Sequence, residues 1–298
     1  VAGAVSAFLP DGRLHLQEGP IDLVIGVEGT RAAMAEAHRR AARAFDGLLA
    51  GLVAELPLLR TPLGADPPPL RGRVARRMLE ACWPYRTGFI TPMAAVAGAV
   101  AEEVLAAITT VPGLATAHVN NGGDIAVFLA PGETLRVGLV RRLEEAVPGG
   151  LVRLTAADPV RGIATSGWPG RSFSLGIADA VAVLAAQAAQ ADAAATVIAN
   201  AVNAEHPAIR RAPAVSLDPD SDLGELPVTV EVGALPEDVV AAALDSGEAM
   251  AERLVQRGLI VAAMLAIGEE VRVVGEVLRG ALPLSNSPRQ GPKGPWNP

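Results

Sequence analysis

Asp192 and Thr196 lie four residues apart in the alanine-rich run QAAQADAAATVIANAV, residues 187–202. In a helix their two oxygen-bearing side chains leave one face about one turn apart. A carboxylate and a hydroxyl so placed are hard oxygen donors, which magnesium favours and usually completes with water or nucleotide phosphate. Asn200 extends the polar stripe, which reads either as the lining of a cleft or as the solvent face of an alanine helix. Just upstream, GIATSGWPG (162–170) puts a glycine-hinged Thr165–Ser166–Gly167 turn in otherwise apolar sequence, and Asp179 stands ahead of the helix. Carboxylates in such surroundings are rarely left without a partner. Asp179 reads as a second carboxylate near a site or, equally, as a residue at the start of the helix.

A second turn, in AHVNNGGDIAVFLA (117–130), separates two strand-like runs. Its paired glycines, Gly122 and Gly123, free backbone N–H groups to face a ligand, with Asp124 available for a ribose or a metal-bound water. The plainer reading is a hairpin with a capping aspartate. His118 is the one histidine to weigh as a general base, although His15, His38, His118 and His206 show no metal-ligand spacing. In FITPMAAVAGAVAEEVLAAI (89–108), Thr91 can cap, Pro92 suits the first helical position, and the helix start is a possible anion site. Arg71, Arg73, Arg76 and Arg77 cluster in RGRVARRM, to meet phosphate or to form a solvated helix face. DPDSDLGEL (218–226) imitates a calcium loop but has Leu223 where glycine is needed and Thr229 where a glutamate should sit, so it reads as an acidic turn before a strand. Dinucleotide, P-loop and zinc-protease signatures are absent, and Ser166 lacks the flanking pattern of a nucleophile elbow.

These residues need elements to hold them. Residues 13–28 predict two strands broken at Gly19–Pro20, and Thr30 then caps an amphipathic helix that runs to Pro57. A proline-rich connector (57–72) follows. Strands are expected at 135–140 and 151–156, at 162–167, and at 227–232. A strand or strand-to-helix passage should occupy 172–185, with a helix closing before Pro207. An acidic-starting helix from 236 and two strands joined through Gly268 complete an α+β chain of mixed, mainly antiparallel sheets flanked by helices. Residues 1–280 read as one domain, or two intertwined subdomains, and 281–298 as a flexible proline- and glycine-rich tail.

Half of the 298 residues are hydrophobic and only 3% aromatic, which implies closely packed, small-sided helices and sheets. A formal charge of −7 without a basic stripe argues against nucleic acid as partner. Cys82 is the single cysteine, so an intramolecular disulfide is impossible, and a reducing cytoplasm fits. The apolar start has no preceding positive region and is interrupted by Pro10 and Asp11, which does not read as an export signal. The longest apolar runs fall short of the roughly 18–20 residues a membrane helix needs. A homodimer is a weak general expectation for such a chain.

Taken together and in order, VNNGGDI, GIATSG and ADAAAT resemble the N-x-G-G-D-I, S-T-S-G and A-D-A-x-x-T segments of the ApbE superfamily. The fuller strings HLQEGPIDL, FITPMAAVAGAV and FSLGIADAV are similar to an ApbE-related cytoplasmic branch, over about residues 13–275. The resemblance implies an α+β fold and a magnesium-dependent FAD:protein FMN transferase or a relative acting on FAD or another phosphorylated metabolite. It also implies magnesium held by Asp192, Thr196 and a backbone carbonyl near Ala97. Asn121, Gly122, Gly123 and Asp124 would line the flavin nucleotide, and Thr165, Ser166 and Gly167 would border its pocket. Two departures oppose simple transfer of the activity: SFSLGIADAV replaces the family's H-x-I-D-P-R-T-G, and Gly98 stands for the lysine of A-K-G. A non-catalytic flavin- or nucleotide-binding module is therefore the rival reading, and a scaffold whose motifs only fix turns is a third.

Overall fold

The computed structural model describes residues 5–142 and 147–276. The stretch 281–298, expected to be a flexible tail, lies outside the described residues, as do residues 1–4 of the apolar start. The chain begins with three strands, β1 (Val5–Phe8), β2 (Leu14–Glu18) and β3 (Ile21–Gly29), turning at Gly19–Pro20 as the pattern predicts. Helices α1 (Arg31–Phe45), α2 (Leu48–Ala54) and α3 (Leu56–Leu59) follow. The single helix expected up to Pro57 is thus broken. Thr30 does cap α1, accepting from the Ala33 N–H at 3.2 Å, but Gly47 takes φ 73°, a left-handed step that an α-helix cannot contain. Pro57 does not close a helix; it sits in the first turn of α3, where its missing N–H costs nothing.

Helix α4 (Arg73–Cys82) and a 3-10 turn at Pro92–Ala95 lead into α5 (Val96–Ile108). Then come β4 (Leu114–Asn121), β5 (Asp124–Leu129), β6 (Thr134–Arg142), β7 (Val147–Thr155), β8 (Gly162–Ser166) and β9 (Ala180–Ala185). Residues 172–179, read as strand or helix start, are loop. Helix α6 (Ala188–Ala201), β10 (Ile209–Pro213), α7 (Ala214–Leu217), β11 (Pro227–Val232), α8 (Glu237–Gln256), β12 (Ala262–Ile267) and β13 (Glu270–Val274) complete the chain.

Nine strands form one sheet in the order β1-β2-β3-β4-β5-β8-β9-β12-β13, every neighbouring pair antiparallel. Between β5 and β8 the register holds only two pairs, Ile125–Ile163 and Ala126–Gly162. Side chains alternate between faces. Leu23, Ile25, Val119 and Ala126 on one face pack with α1 and α5, and farther along the same face Ala164, Val181, Val183 and Leu265 pack with α6 and α8. The β6–β7 hairpin covers the other face in part, setting Val137, Leu139, Val152 and Leu154 against Val127, Ile163, Leu184 and Met264.

Helix α6 runs closer to its neighbours than side chains normally permit. A Cβ on Gly98 would stand 2.4 Å from the Ala188 carbonyl oxygen, one on Gly162 2.1 Å from the Gln187 carbonyl carbon, and one on Gly176 1.9 Å from the Ala199 oxygen. Alanine on the helix and glycine opposite it bring backbone almost to backbone. The polar groups of α6 are thereby set tightly against α5 and β8.

Candidate functional site

The starts of α5 and α6 converge, and each helix caps the other. Ala95 precedes α5 and Gln187 precedes α6, and neither side chain makes a cap. Instead Asp192 Oδ2 accepts the Gly98 N–H at 3.0 Å, and Glu102 Oε1 of α5 accepts the Ala189 N–H at 3.0 Å. Each carboxylate satisfies a donor that a helix N-terminus leaves open and meets the positive end of its dipole. Arg77 holds Glu102 at 2.8 Å and Glu103 at 3.0 Å, which engages the guanidinium offered above as a phosphate contact. Burial raises the Glu102 pKa, while the Ala189 N–H and Arg77 oppose the rise.

Beside Asp192 lies the β4–β5 hairpin. Asn121 is buried and donates through Nδ2 to the Ala97 carbonyl at 3.2 Å, while its Oδ1 accepts the Asp22 N–H at 3.4 Å. Gly122 and Gly123 turn with φ 65° and 115°, and Asn120 Oδ1 accepts the Gly123 N–H at 2.8 Å. Asp124, 9% exposed, accepts the Thr165 N–H at 3.2 Å, so the C-terminal end of β8, where strand and not turn holds Thr165 and Ser166, is tied to the hairpin across the sheet. Gly167 leaves no room for a side chain, since a Cβ would be 2.6 Å from the Asp179 carbonyl oxygen.

The two aspartates oppose each other's ionisation. Burial pushes Asp124 up to about 7, against the pull of the Thr165 N–H. Burial also holds Asp192 well above the usual carboxylate range; the charge of Asp124 adds to this, and the N–H groups of Gly98 and Ala97 counter it. Thr196 is half-buried one turn beyond Asp192, on the same face. The oxygens gathered here are the two carboxylates and the Ala97 carbonyl, with the Thr196 hydroxyl one helical turn along α6. Among the described residues no cluster of three or more His, Cys, Asp or Glu is arranged to hold a metal. Buried and half-buried oxygen donors that resist carrying two negative charges fit a hard divalent cation, whose charge would offset that cost and whose remaining positions water or phosphate would fill.

Three further residues border this site without having been picked out by motif. Burial pushes the Cys82 thiol pKa well up, and the charges of Asp192 and Asp222 push in the same direction. Asp222, from the acidic 218–226 turn, accepts a hydrogen bond from the Thr91 hydroxyl, which itself accepts the Met93 N–H ahead of α5 at 3.2 Å. Arg171 comes over the hairpin, its Nη1 3.3 Å from where a Cβ on Gly122 would be. Only the fold brings them here; no spacing in the sequence carries that information.

Other proposed residues stand apart. His118 pairs with Gly26 and Val127 on the sheet face opposite Asp124, and its ring occupies the space that a Gly26 Cβ would need. Burial lowers its pKa, and Arg13 adds to the effect. Asp179 is committed to local structure, accepting from Trp168 Nε1 at 3.3 Å and the Gly268 N–H at 2.7 Å. Asn200 accepts the Leu175 N–H at 2.9 Å and so fastens the 172–176 loop to α6. His15 pairs with Asp22 at 2.8 Å, His38 meets Phe8 edge-on, and His206 Nδ1 accepts the Ala208 N–H at 3.2 Å.

A family model described as AbpE bacteria matches residues 6–273. A UPF0280 protein of Methanopyrus kandleri is 40% identical over 160 residues, covering 53% of this chain and 61% of its own. One from Methanosarcina acetivorans is 38% identical over 130 residues, covering 43% and 49%. The chain thus spans about half to three-fifths of the length of these curated relatives. Among solved structures, the apo flavinyl transferase ApbE of Pseudomonas stutzeri aligns with TM-score 0.44 at 13% identity, covering 93% of this chain and 95% of that one. The flavin transferase ApbE of Vibrio cholerae aligns with TM-score 0.46 at 12% identity, covering 94% and 99%. Among the described residues no helix is long and apolar enough to cross a membrane.

Proposed function

The chain belongs to the AbpE bacteria family, and from that premise we propose a magnesium-dependent enzyme that acts on FAD or a related nucleotide at its diphosphate. The observation that carries this reading is the Asp124–Asp192 pair beside the Ala97 carbonyl, the first buried and the second half-buried, two carboxyls whose ionisation desolvation opposes. Asp192, Thr196 and the Ala97 carbonyl are the ligands in this reading. Magnesium would supply charge neutralisation on the diphosphate oxygens. Asn121 orients the Ala97 carbonyl, the Gly122–Gly123 turn admits the nucleotide close to the backbone, and Thr165, Ser166 and Gly167 at the end of β8 border it. Attack by water or an acceptor hydroxyl on the FMN phosphorus would form a new P–O bond as the bridging P–O bond breaks, with AMP leaving on the bridging oxygen and the proton of the attacking O–H passing to solvent.

One observation favours a second reading, a flavin- or nucleotide-binding module without turnover. None of the four histidines reaches the Asp192–Asp124 centre, and the Asp179 carboxylate is already taken by Trp168 and Gly268.

Mass spectrometry of FAD incubated with the purified protein separates the two. Release of FMN and AMP that requires magnesium supports the enzyme, while FAD binding without release supports the module. Asp192→Ala should abolish magnesium binding in either case. Unchanged metal and nucleotide binding in that variant would exclude the centre altogether.

A further inference from the structure

Resting on the nucleotide reading above, we propose that Arg171 is the phosphate anchor of the site, a cation fixed over the Asn121–Asp124 hairpin to take the diphosphate from the side opposite the metal ligands. The 167–176 loop that carries it is pinned at both ends. Trp168 N–H donates to the Ala178 carbonyl at 3.0 Å, Gly170 N–H to the Gly167 carbonyl at 3.1 Å, and Leu175 N–H to Asn200 at 2.9 Å. Arg171 is therefore an exposed side chain on a loop held on either side of it, at 168–170 and at 175.

Its guanidinium lies against Gly122, where a side chain would leave only 3.3 Å to Nη1 and where φ is 65°. Its one hydrogen bond among the described residues is from Nη2 to the Pro20 carbonyl at 3.3 Å. No carboxylate among the described residues forms an ion pair with it, although the hairpin beneath carries Asp124 and the adjoining strand Asp22. The Asp22 carboxylate is taken by His15 at 2.8 Å, and that of Asp124 accepts the Thr165 N–H. A guanidinium held by a single carbonyl keeps most of its donor fork free, and two parallel N–H groups match phosphate oxygens. The turn below it has no side chains at Gly122 and Gly123 to keep a ligand away. A diphosphate laid across that turn would reach the Ala97–Asp192–Thr196 oxygens on one side and Arg171 on the other.

The test compares wild type, Arg171→Ala and Arg171→Lys for binding of FAD, ADP and riboflavin in magnesium by titration calorimetry. Loss of charge-assisted hydrogen bonds should weaken FAD and ADP about 10- to 100-fold in Arg171→Ala. Riboflavin, which has no phosphate, should bind as to wild type, and Arg171→Lys should fall between. Equal losses for riboflavin and FAD would make Arg171 a strut for the loop and overturn the inference. Unchanged FAD and ADP affinity in Arg171→Ala, with wild type binding both, overturns the anchor alone and leaves the site. Failure of wild type to bind either nucleotide overturns the site and the anchor together.

Discussion

At the scale of single residues, the site is a place where the protein is less stable than it could be. Asp124 holds a proton more tightly in the folded chain than in the unfolded one, because its carboxyl is buried. The sign follows from linkage: this contribution to stability is complete below pH 4, near the ordinary value, and is lost as pH rises to about 7. Asp124→Asn stays neutral and still accepts the Thr165 N–H. In chelator, its stability should gain on wild type as pH rises from 4 to 7, by on the order of 1–3 kcal/mol at the upper end, with the melting temperature rising accordingly. Millimolar magnesium should close the gap, because the cation replaces the proton. Thermal melts at four pH values with and without chelator check this, and parallel curves would show that the carboxyl is not strained. The aspartates, the glycine turn and the Thr-Ser-Gly segment were all legible as short strings. Arg171 and Asp222 were not, since a guanidinium reaching a hairpin 49 positions earlier leaves no local trace. The placement of His118, by contrast, follows from strand alternation alone. It is three residues from Asn121, and an odd offset along a strand sends a side chain to the opposite face.

At the scale of elements, the pair α5 and α6 decides whether those residues meet. Their reciprocal caps mean that Asp192 already has a structural duty, so a cation bound there would share it with the Gly98 N–H. Glu102 serves α6 in the same way, and Glu102→Ala should cost about 1–2 kcal/mol by leaving the Ala189 N–H open and Arg77 with a weaker partner. Chemical denaturation would measure it, and no change would show that water caps the helix equally well. Gly98→Ala is a sharper case, because its Cβ would press on the backbone of Ala188 at 2.4 Å, which cannot swing aside as a side chain can. A loss of at least about 2–3 kcal/mol is expected, with weakened magnesium binding in whatever folds. Helices at 96–108, 188–201 and 237–256 were readable from periodicity, although Thr91 and Pro92 open a 3-10 turn ahead of α5 and not α5 itself. What periodicity could not report was the close approach. An alanine helix can serve equally as a solvent face or as a buried partner, and only the facing Gly98, Gly162 and Gly176 settle the choice. The break at Gly47 was missed because apolar spacing continues through it, and the left-handed turn there adds no polar signal.

At the scale of the whole molecule, the sheet is continuous but not uniformly joined. β5 and β8 share two register pairs where β3 and β4 share seven, and the hydrophobic packing changes from the α1–α5 group to the α6–α8 group at that position. The antiparallel α+β class could be read from the alternation of strand and helix patterns, yet this thin join could not, because the 134–155 hairpin between the two strands hides their pairing from any local window. The site straddles it. Asn121 and Asp124 stand on one side, Thr165 to Gly167 on the other, with the Thr165 N–H to Asp124 bond crossing between. Hydrogen–deuterium exchange should find the β5 and β8 amides opening more readily than those of β3 and β4 in the free protein. FAD with magnesium should slow them most, and slowing spread evenly over the sheet would contradict this. A ligand seated there would act as a rivet through a thin seam, so that occupancy and mechanical integrity would rise together.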